Sequence, residues 1–330
     1  MKTVERQLAS IIIRCHNEER HIGRLLSGIL QQTVRDVEII VVDSGSTDAT
    51  VSIASRYPTK ILHIQPEAFS FGRSLNTGCK AANGEFIVIA SGHVHPVYID
   101  WLERLLAPFS DPQVALVYGK QRGNEMTKCS ERQVFARWFP DESKLEQDHP
   151  FCNNANAAIR RSLWEQLPYD ETLTGLEDIE WAKRAMESGY KIVYTSDADI
   201  VHVHDESYRQ IHNRYRREAI ALKRIFPHER FSLWDFARLF TANVASDCRH
   251  ARHDGALRRS LASIFLFRLM QFWGTYRGST QRSPVTNQLR QTFYYPNSLR
   301  RTRAEAKYVK PERIINYTAT PTQGQDNEGE

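Results

Sequence analysis

Three observations on this 330-residue sequence predict an α/β protein with a mostly parallel sheet, helices on both of its faces, and a helical C-terminal extension. Short β-branched runs alternate with segments whose apolar residues recur at helical spacing, the pattern of repeated strand–helix units. Those runs are apolar at consecutive positions, as strands covered on both faces must be. Past residue 205 the chain becomes basic and helical.

The elements follow in order. ASIIIRC (9–15) is the first strand. The segment 17–33 is a helix with Ile22, Leu25, Leu26, Ile29 and Leu30 on one face and Asn17 as its N-cap. VEIIVVDSGS (37–46) is a strand running into a polar turn, and 46–57 is a helix opened by Ser or Thr with an acid in its first turn. KILHIQ (60–65) is a strand, GRSLNTGCKAAN (72–83) a helix and EFIVIAS (85–91) a long apolar strand. A helix at 101–109, a strand at 114–123, a strand passing into a helix at 153–167, a helix at 176–190 closed by Gly189, and a strand at 191–204 complete the α/β part. The stretch 123–150 reads as a mobile, amphipathic loop. Basic helices are expected at 207–226, 233–248 and 257–276. In a parallel sheet ligands bind beyond the C-terminal strand ends, which here carry Asp43 and the turn 91–95.

Hydrophobic residues make up 41% and charged residues 25%, the proportions of an ordinary globular chain. The longest apolar run, SIFLFRLMQFW (263–273), is too short to cross a bilayer and is broken by Arg268. No signal-peptide pattern is legible, and five cysteines without paired spacing predict free thiols rather than disulfides or a zinc motif. The expected location is cytoplasmic, with peripheral contact at the inner face of the cell membrane as its extension. Charge is unevenly spread: 209–313 holds 22 Lys and Arg against 7 Asp and Glu, a balance of +15, while the remaining residues hold 22 against 32, or −10. This basic third suits an anionic partner. No recognition motif accompanies the charge, so nucleic acid is not expected. The organisation read from the sequence is an α/β domain over 1–218, a basic, aromatic-rich helical extension over 219–317 and a disordered tail over 318–330.

Three stretches, SIIIRCHNEERHIGRLLSGILQQ, EIIVVDSGSTDAT and LTGLEDIEWAKRA, resemble in kind and order the inverting family 2 glycosyltransferases over roughly residues 9–218. The resemblance implies a GT-A (Rossmann-like) fold and transfer of a sugar from a nucleotide-diphosphate sugar to an acceptor hydroxyl, in cell-surface polysaccharide or glycoconjugate synthesis. Glu177 and Asp178 match the family's Glu-Asp motif, with Asp178 as the base that takes the acceptor proton and Glu177 supporting it. Asp43 matches the carboxylate that contacts the donor's base and ribose, with Asn17 and Glu18 adjacent. Arg73 and Asn76, three apart on a helical turn, are expected on the donor diphosphate. Asn154, Asn156 and Trp181 are assigned to the acceptor side.

One segment departs from the family. Where an Asp-X-Asp turn normally holds Mg²⁺ or Mn²⁺, this chain has Ser91-Gly92-His93-Val94-His95. Three explanations are open: His95 replaces the last carboxylate as a metal ligand, Ser91, His93, His95 and basic residues hold the diphosphate without metal, or donor binding has been lost. A second His-X-His pair, His202 and His204, lies where the family completes this site, and His204 matches best. The Gln-X-X-Arg-Trp motif of processive members is absent, which favours single addition onto a glycan or lipid-linked acceptor. The aromatics Phe265, Phe267, Phe272, Trp273 and Tyr276 among arginines suit an anionic membrane surface or packing onto the α/β domain. The rival reading is a catalytically silent domain that binds a nucleotide or glycan.

Overall fold

The computed structural model describes residues 8–283 and, beyond them, 285, 286, 289, 293 and 294. The segment read as a disordered tail and the end of the predicted extension lie outside the described residues. The chain runs β1 (Ala9–Cys15), α1 (Ile22–Leu30), β2 (Val37–Asp43), α2 (Thr50–Ala54), β3 (Thr59–His63), α3 (Phe71–Lys80), β4 (Phe86–Ser91) and β5 (Val94–Pro96). It continues through α4 (Trp101–Leu106), β6 (Val114–Arg122), α5 (Cys129–Trp138), β7 (Asn156–Arg160), α6 (Arg161–Gln166), α7 (Glu177–Glu187) and β8 (Lys191–His202). Three long helices follow: α8 (Tyr208–Ile225), α9 (Leu233–His253) and α10 (Leu257–Ser279).

Eight strands form one sheet in the order β3-β2-β1-β4-β7-β6-β8-β5. β3, β2, β1 and β4 are parallel, β7 runs antiparallel to both β4 and β6, and β5 lies antiparallel on the end of β8. Strand alternation divides the core into two layers. Ile11, Ile13, Val41, Val88 and Ala90 face α1 and α4 residues such as Leu25, Leu26 and Leu105. Ile12, Ile40, Val42, Ile87 and Ile89 face Leu75 of α3 and Trp181 of α7. Each fully buried side chain of this size contributes about 1.5–3 kcal/mol.

Three local expectations change. Asn17 is not a helix cap: its φ is 57°, its Oδ1 accepts the Thr47 amide at 2.8 Å, and α1 begins only at Ile22. The helix expected over 46–57 shortens to α2, because Asp48 uses its carboxylate on Thr50 N and Oγ1 and so turns the chain ahead of it. The stretch read as a loop at 123–150 contains α5, whose Phe135, with Phe139 just after it, is buried in the second core layer. That apolar spacing of i, i+4 was the helical signal.

α8, α9 and α10 belong to the same compact unit as the sheet, and residue 218, where the α/β domain was expected to end, lies inside α8. Two glycines let α10 close on α8. A Cβ on Gly274 would stand 2.5 Å from His212 O, and one on Gly278 would collide with Arg216 O. Arg268 faces inward, bonding Asp247 of α9 at 2.7 and 2.9 Å, with Ser130 O at 3.3 Å. Leu261, Phe265 and Trp273 of the same helix are exposed.

Candidate active site

The site gathers at the C-terminal ends of β1, β2 and β4. Asp43 ends β2 and is 2% exposed. Its oxygens accept from Gly45 N at 3.1 Å and Ser46 N at 3.2 Å, with His63 Nδ1 at 3.3 Å. The carboxylate therefore fixes the loop that follows the strand. Asn17 ties the loop after β1 to the same turn, and Glu18 N donates to Thr50 Oγ1 at 2.7 Å.

Beside these ends three histidines converge. Val94 pairs with His202 in the β5–β8 ladder and Val203 N donates to His93 O at 3.1 Å, so the backbone zips the two His-X-His segments together. The rings of His93 and His202 stack at 5.0 Å, and those of His202 and His204 meet edge-on at 4.0 Å. Among the described residues these three offer ligand nitrogens that all lie within 4.8 Å of one another. Each ring is held from behind. His93 Nδ1 lies 2.7 Å from Glu18 Oε1, His202 Nδ1 2.8 Å from Gln121 Oε1 and His204 Nδ1 2.6 Å from Glu131 Oε1. Carboxylates only accept, so the Nδ1 atoms of His93 and His204 donate to them and the Nε2 atoms point away from the carboxylates, that of His204 toward His202 Nε2 at 2.9 Å. Burial, then His204 and His93, holds His202 far below the ordinary imidazole value and keeps it neutral. For His93 burial works against the charged form, but Glu18 outweighs it and the net shift is upward. Burial would likewise raise Glu131, yet His204 and Arg214 bring it below the usual carboxylate range.

The other end of the site is acidic. Glu177 and Asp178 open α7 and are 4% and 8% exposed. Burial first and the neighbouring Glu177 second raise the Asp178 carboxyl from 3.8 to about 7, against hydrogen bonds from Asn154 N and Ile179 N. Leu176, just before the helix, takes φ 57° and turns both acids into the first turn. Arg14, at the end of β1, connects the two ends. It bonds Glu177 at 3.2 Å, pairs in register with Ser91, and its carbonyl accepts Gly92 N at 3.0 Å. Ser91 Oγ in turn lies 3.3 Å from the His93 ring. Asn154 is 2% exposed and both polar atoms of its side chain lack a partner, directly beside Asp178.

Several expected site residues do other work. His95 is outside the three-histidine group: His93 stands in the turn and His95 on β5, so strand alternation does not bring them to one face. Burial, with Arg24 and His21 nearby, lowers His95 to about 4. Arg73 pairs with Glu171 at 2.8 Å and donates to Ala68 O. Asn76 uses its whole amide internally, accepting from Trp164 Nε1 and Tyr169 N and donating to Tyr169 O and Glu171. Asn156 is fully buried, accepting from Trp101 Nε1 and donating to Lys120 O and Ala198 O. Trp181 lies in the core with its indole N–H on Leu167 O at 2.5 Å. Asn76, Asn156 and Trp181 are buried and tie loops and strands together, while the Arg73 side chain stays half exposed beside Glu171. Glu131 and Gln121 were missed, because their strand and helix give no local sign of what they face.

A family model described as Glycosyl transferase family 2 matches residues 10–167. The O-antigen chain rhamnosyltransferase WbaN of Salmonella anatum is 32% identical over 198 residues, 56% of this chain and 62% of that protein. The O-antigen chain rhamnosyltransferase RfbN of Salmonella typhimurium is 30% identical over 220 residues, 62% of this chain and 69% of that protein. The chain belongs to glycosyl transferase family 2. Its fold is the GT-A fold of known glycosyltransferase structures. A mannosyltransferase from Pyrobaculum calidifontis, solved with GDP-Man and Mn²⁺, superposes with a TM-score of 0.56 at 22% identity, covering 89% of this chain and 88% of that one. TarS 1–349 of S. aureus, solved with UDP-GlcNAc, gives 0.50 at 17% identity over 84% and 94%. The first of the two Salmonella alignments spans 62% of that relative's length, less than two thirds of it. Among the described residues of this family 2 chain, no helix is long and apolar enough to cross a membrane.

Proposed function

We propose that this chain transfers one sugar per encounter from a nucleotide-diphosphate sugar to an acceptor hydroxyl, with inversion, in surface polysaccharide assembly. The observation that carries the reading is Asp178, a buried carboxyl raised to about 7 at the start of α7 and steadied by the Asn154 amide. Such a group is a neutral-pH base. It takes the acceptor hydroxyl's proton as that oxygen bonds the anomeric carbon; the carbon–oxygen bond to the diphosphate breaks on the opposite side, and the nucleoside diphosphate leaves with the electron pair. Glu177, held by Arg14, keeps a second negative charge beside Asp178 and so sustains its basicity. The buried, unpartnered Asn154 side chain supports a role on the acceptor hydroxyl. Asp43 and the loop it anchors receive the nucleoside.

In this reading the histidine turn stands where the family resemblance places an acidic metal turn. Three imidazoles with committed Nδ1 atoms fit a divalent ion, and such an ion would offset the charge of the leaving diphosphate. The rhamnosyltransferase relatives make a rhamnosyl donor the first to try. The exposed Leu261, Phe265 and Trp273 of α10, with Leu233 and Trp234 of α9, support peripheral contact with an anionic membrane carrying a lipid-linked acceptor. The test is calorimetric titration with UDP, GDP, CMP and dTDP in EDTA and in Mn²⁺, followed by donor turnover with a glycan acceptor. One nucleotide is expected to bind and its sugar conjugate to be consumed. Binding without turnover would favour the silent module, and no binding at all would sink both.

A further inference from the structure

We infer that His93, His202 and His204 form a three-imidazole site for a nitrogen-preferring divalent ion of the zinc or cobalt class, in preference to Mg²⁺, with Glu18, Gln121 and Glu131 as the acceptors that orient its ligands. The inference deepens the transferase reading at the same site.

The first argument is protonation. His204 Nε2 and His202 Nε2 lie 2.9 Å apart. Glu131 fixes the His204 proton on Nδ1, and Gln121 Oε1 does the same for His202. With the protons so placed the two Nε2 atoms turn lone pairs toward one another, a contact that either a bound cation or a proton shared by the pair relieves. The second is geometry. A tetrahedral ion at about 2.1 Å holds two nitrogens about 3.4 Å apart, so the observed pair at 2.9 Å stands within about half an ångström of ligand spacing and opens slightly to take one. His93 supplies the third nitrogen, brought into range by the Val203–His93 backbone bond. The third is the outer shell. A ligating imidazole typically gives its other N–H to a carboxylate or carbonyl, and all three rings do so. Only His204 is shared with a second acid group, Glu131 and Glu206, and both of those acids already face Arg214. The donor set decides the ion: Mg²⁺ wants hard oxygens in near-octahedral array, whereas imidazole suits zinc, cobalt and nickel. The side chain of His93 is 30% exposed against 14% for His204, so the open coordination side faces the His93 end.

The test uses the tag-free full chain stripped with EDTA, titrated with CoCl₂ while visible ligand-field absorption is followed, then challenged with ZnCl₂ and a hundredfold excess of MgCl₂. One equivalent of cobalt is expected, displaced by zinc and retained in magnesium. His202→Ala and His204→Ala weaken cobalt by more than about 100-fold, beyond the 10–100-fold expected of an outer partner, and His95→Ala leaves it unchanged. Because an alanine variant can fail to fold, circular dichroism accompanies each, and zinc must raise the melting temperature of the wild type but not of folded His202→Asn. No cobalt binding, with the imidazole pair sharing a proton instead, overturns the inference, as does binding undiminished in both histidine variants. Nucleotide titration separates it from the transferase reading: nucleotide bound without any ion removes only the metal site, and ion bound without any nucleotide removes only the transferase.

Discussion

The acidic end of the site and the imidazole end are built on opposite terms. Glu177 and Asp178 are neighbours in sequence, buried together in one helical turn, and their mutual repulsion with burial raises Asp178. The histidines come from two distant segments, and each proton is anchored on a different element: the loop after β1, strand β6 and helix α5. One end gains its chemistry from like charges forced together, the other from neutral rings held apart by partners. Arg14 touches both, through Glu177 and through the β1–β4 ladder. A site of this kind can lose one end and keep the other, and four experiments ask whether it does.

The largest effect is expected from Asp178→Asn, which lowers turnover by about 10²–10⁴-fold while cobalt and nucleotide binding stay within a few-fold of wild type. Loss of ion binding in that variant would show that the two ends are not separable. Glu131→Gln does the converse: ion affinity falls about tenfold with the nucleotide pocket intact, because the amide is a weaker acceptor for His204 Nδ1–H.

The pH profile comes next. Turnover rises about tenfold per unit as pH climbs toward about 7 and levels off above it, since only the ionised Asp178 accepts a proton. Stability runs the other way. Folding raises this carboxyl above its ordinary 3.8, so the folded chain holds the proton more tightly. The stability so gained is complete below the ordinary value and is lost, at up to about 1.4 kcal/mol per pH unit, as pH rises through about 7. Asp178→Asn should remove that slope and melt higher than wild type at pH 8. Equal slopes in the two proteins would contradict the assignment.

The smallest effect sharpens the role of the bridge. Arg14→Met removes a cation that lowers Asp178 while keeping apolar contact with Phe71, whose ring centroid lies 4.9 Å from the guanidinium. The turnover profile should move to higher pH by less than about one unit. An unmoved profile would mean that Arg14 serves Glu177 alone.

How legible was this molecule? The strands were plain because each is apolar at consecutive positions, and the start of α7 was plain because its two acids are adjacent. Element ends were harder: Asn17 and Asp48 spend their side chains on loop amides, Asp48 on Thr50 two residues on and Asn17 on Thr47, which only the fold brings near. Asn76, Asn156 and Trp181 looked chemical only because a polar group on a motif segment carries no mark of what surrounds it. In the fold their partners are main-chain groups and indoles up to 93 residues away. Arg268, which broke an apolar run in the sequence, proved to be the buried side of α10, with Asp247 as its reason.

The sequence by itself determined the α/β plan, the family, and Glu177–Asp178 as a paired acid group, because each rests on local periodicity or on residues adjacent in the chain. Only the tertiary structure decided that His93, and not His95, joins His202 and His204. That choice rests on the ladder between β5 and β8 and on three proton acceptors from separate elements. Hydrogen-bond direction and lone-pair convergence are properties of packed neighbours, and a linear sequence does not contain them.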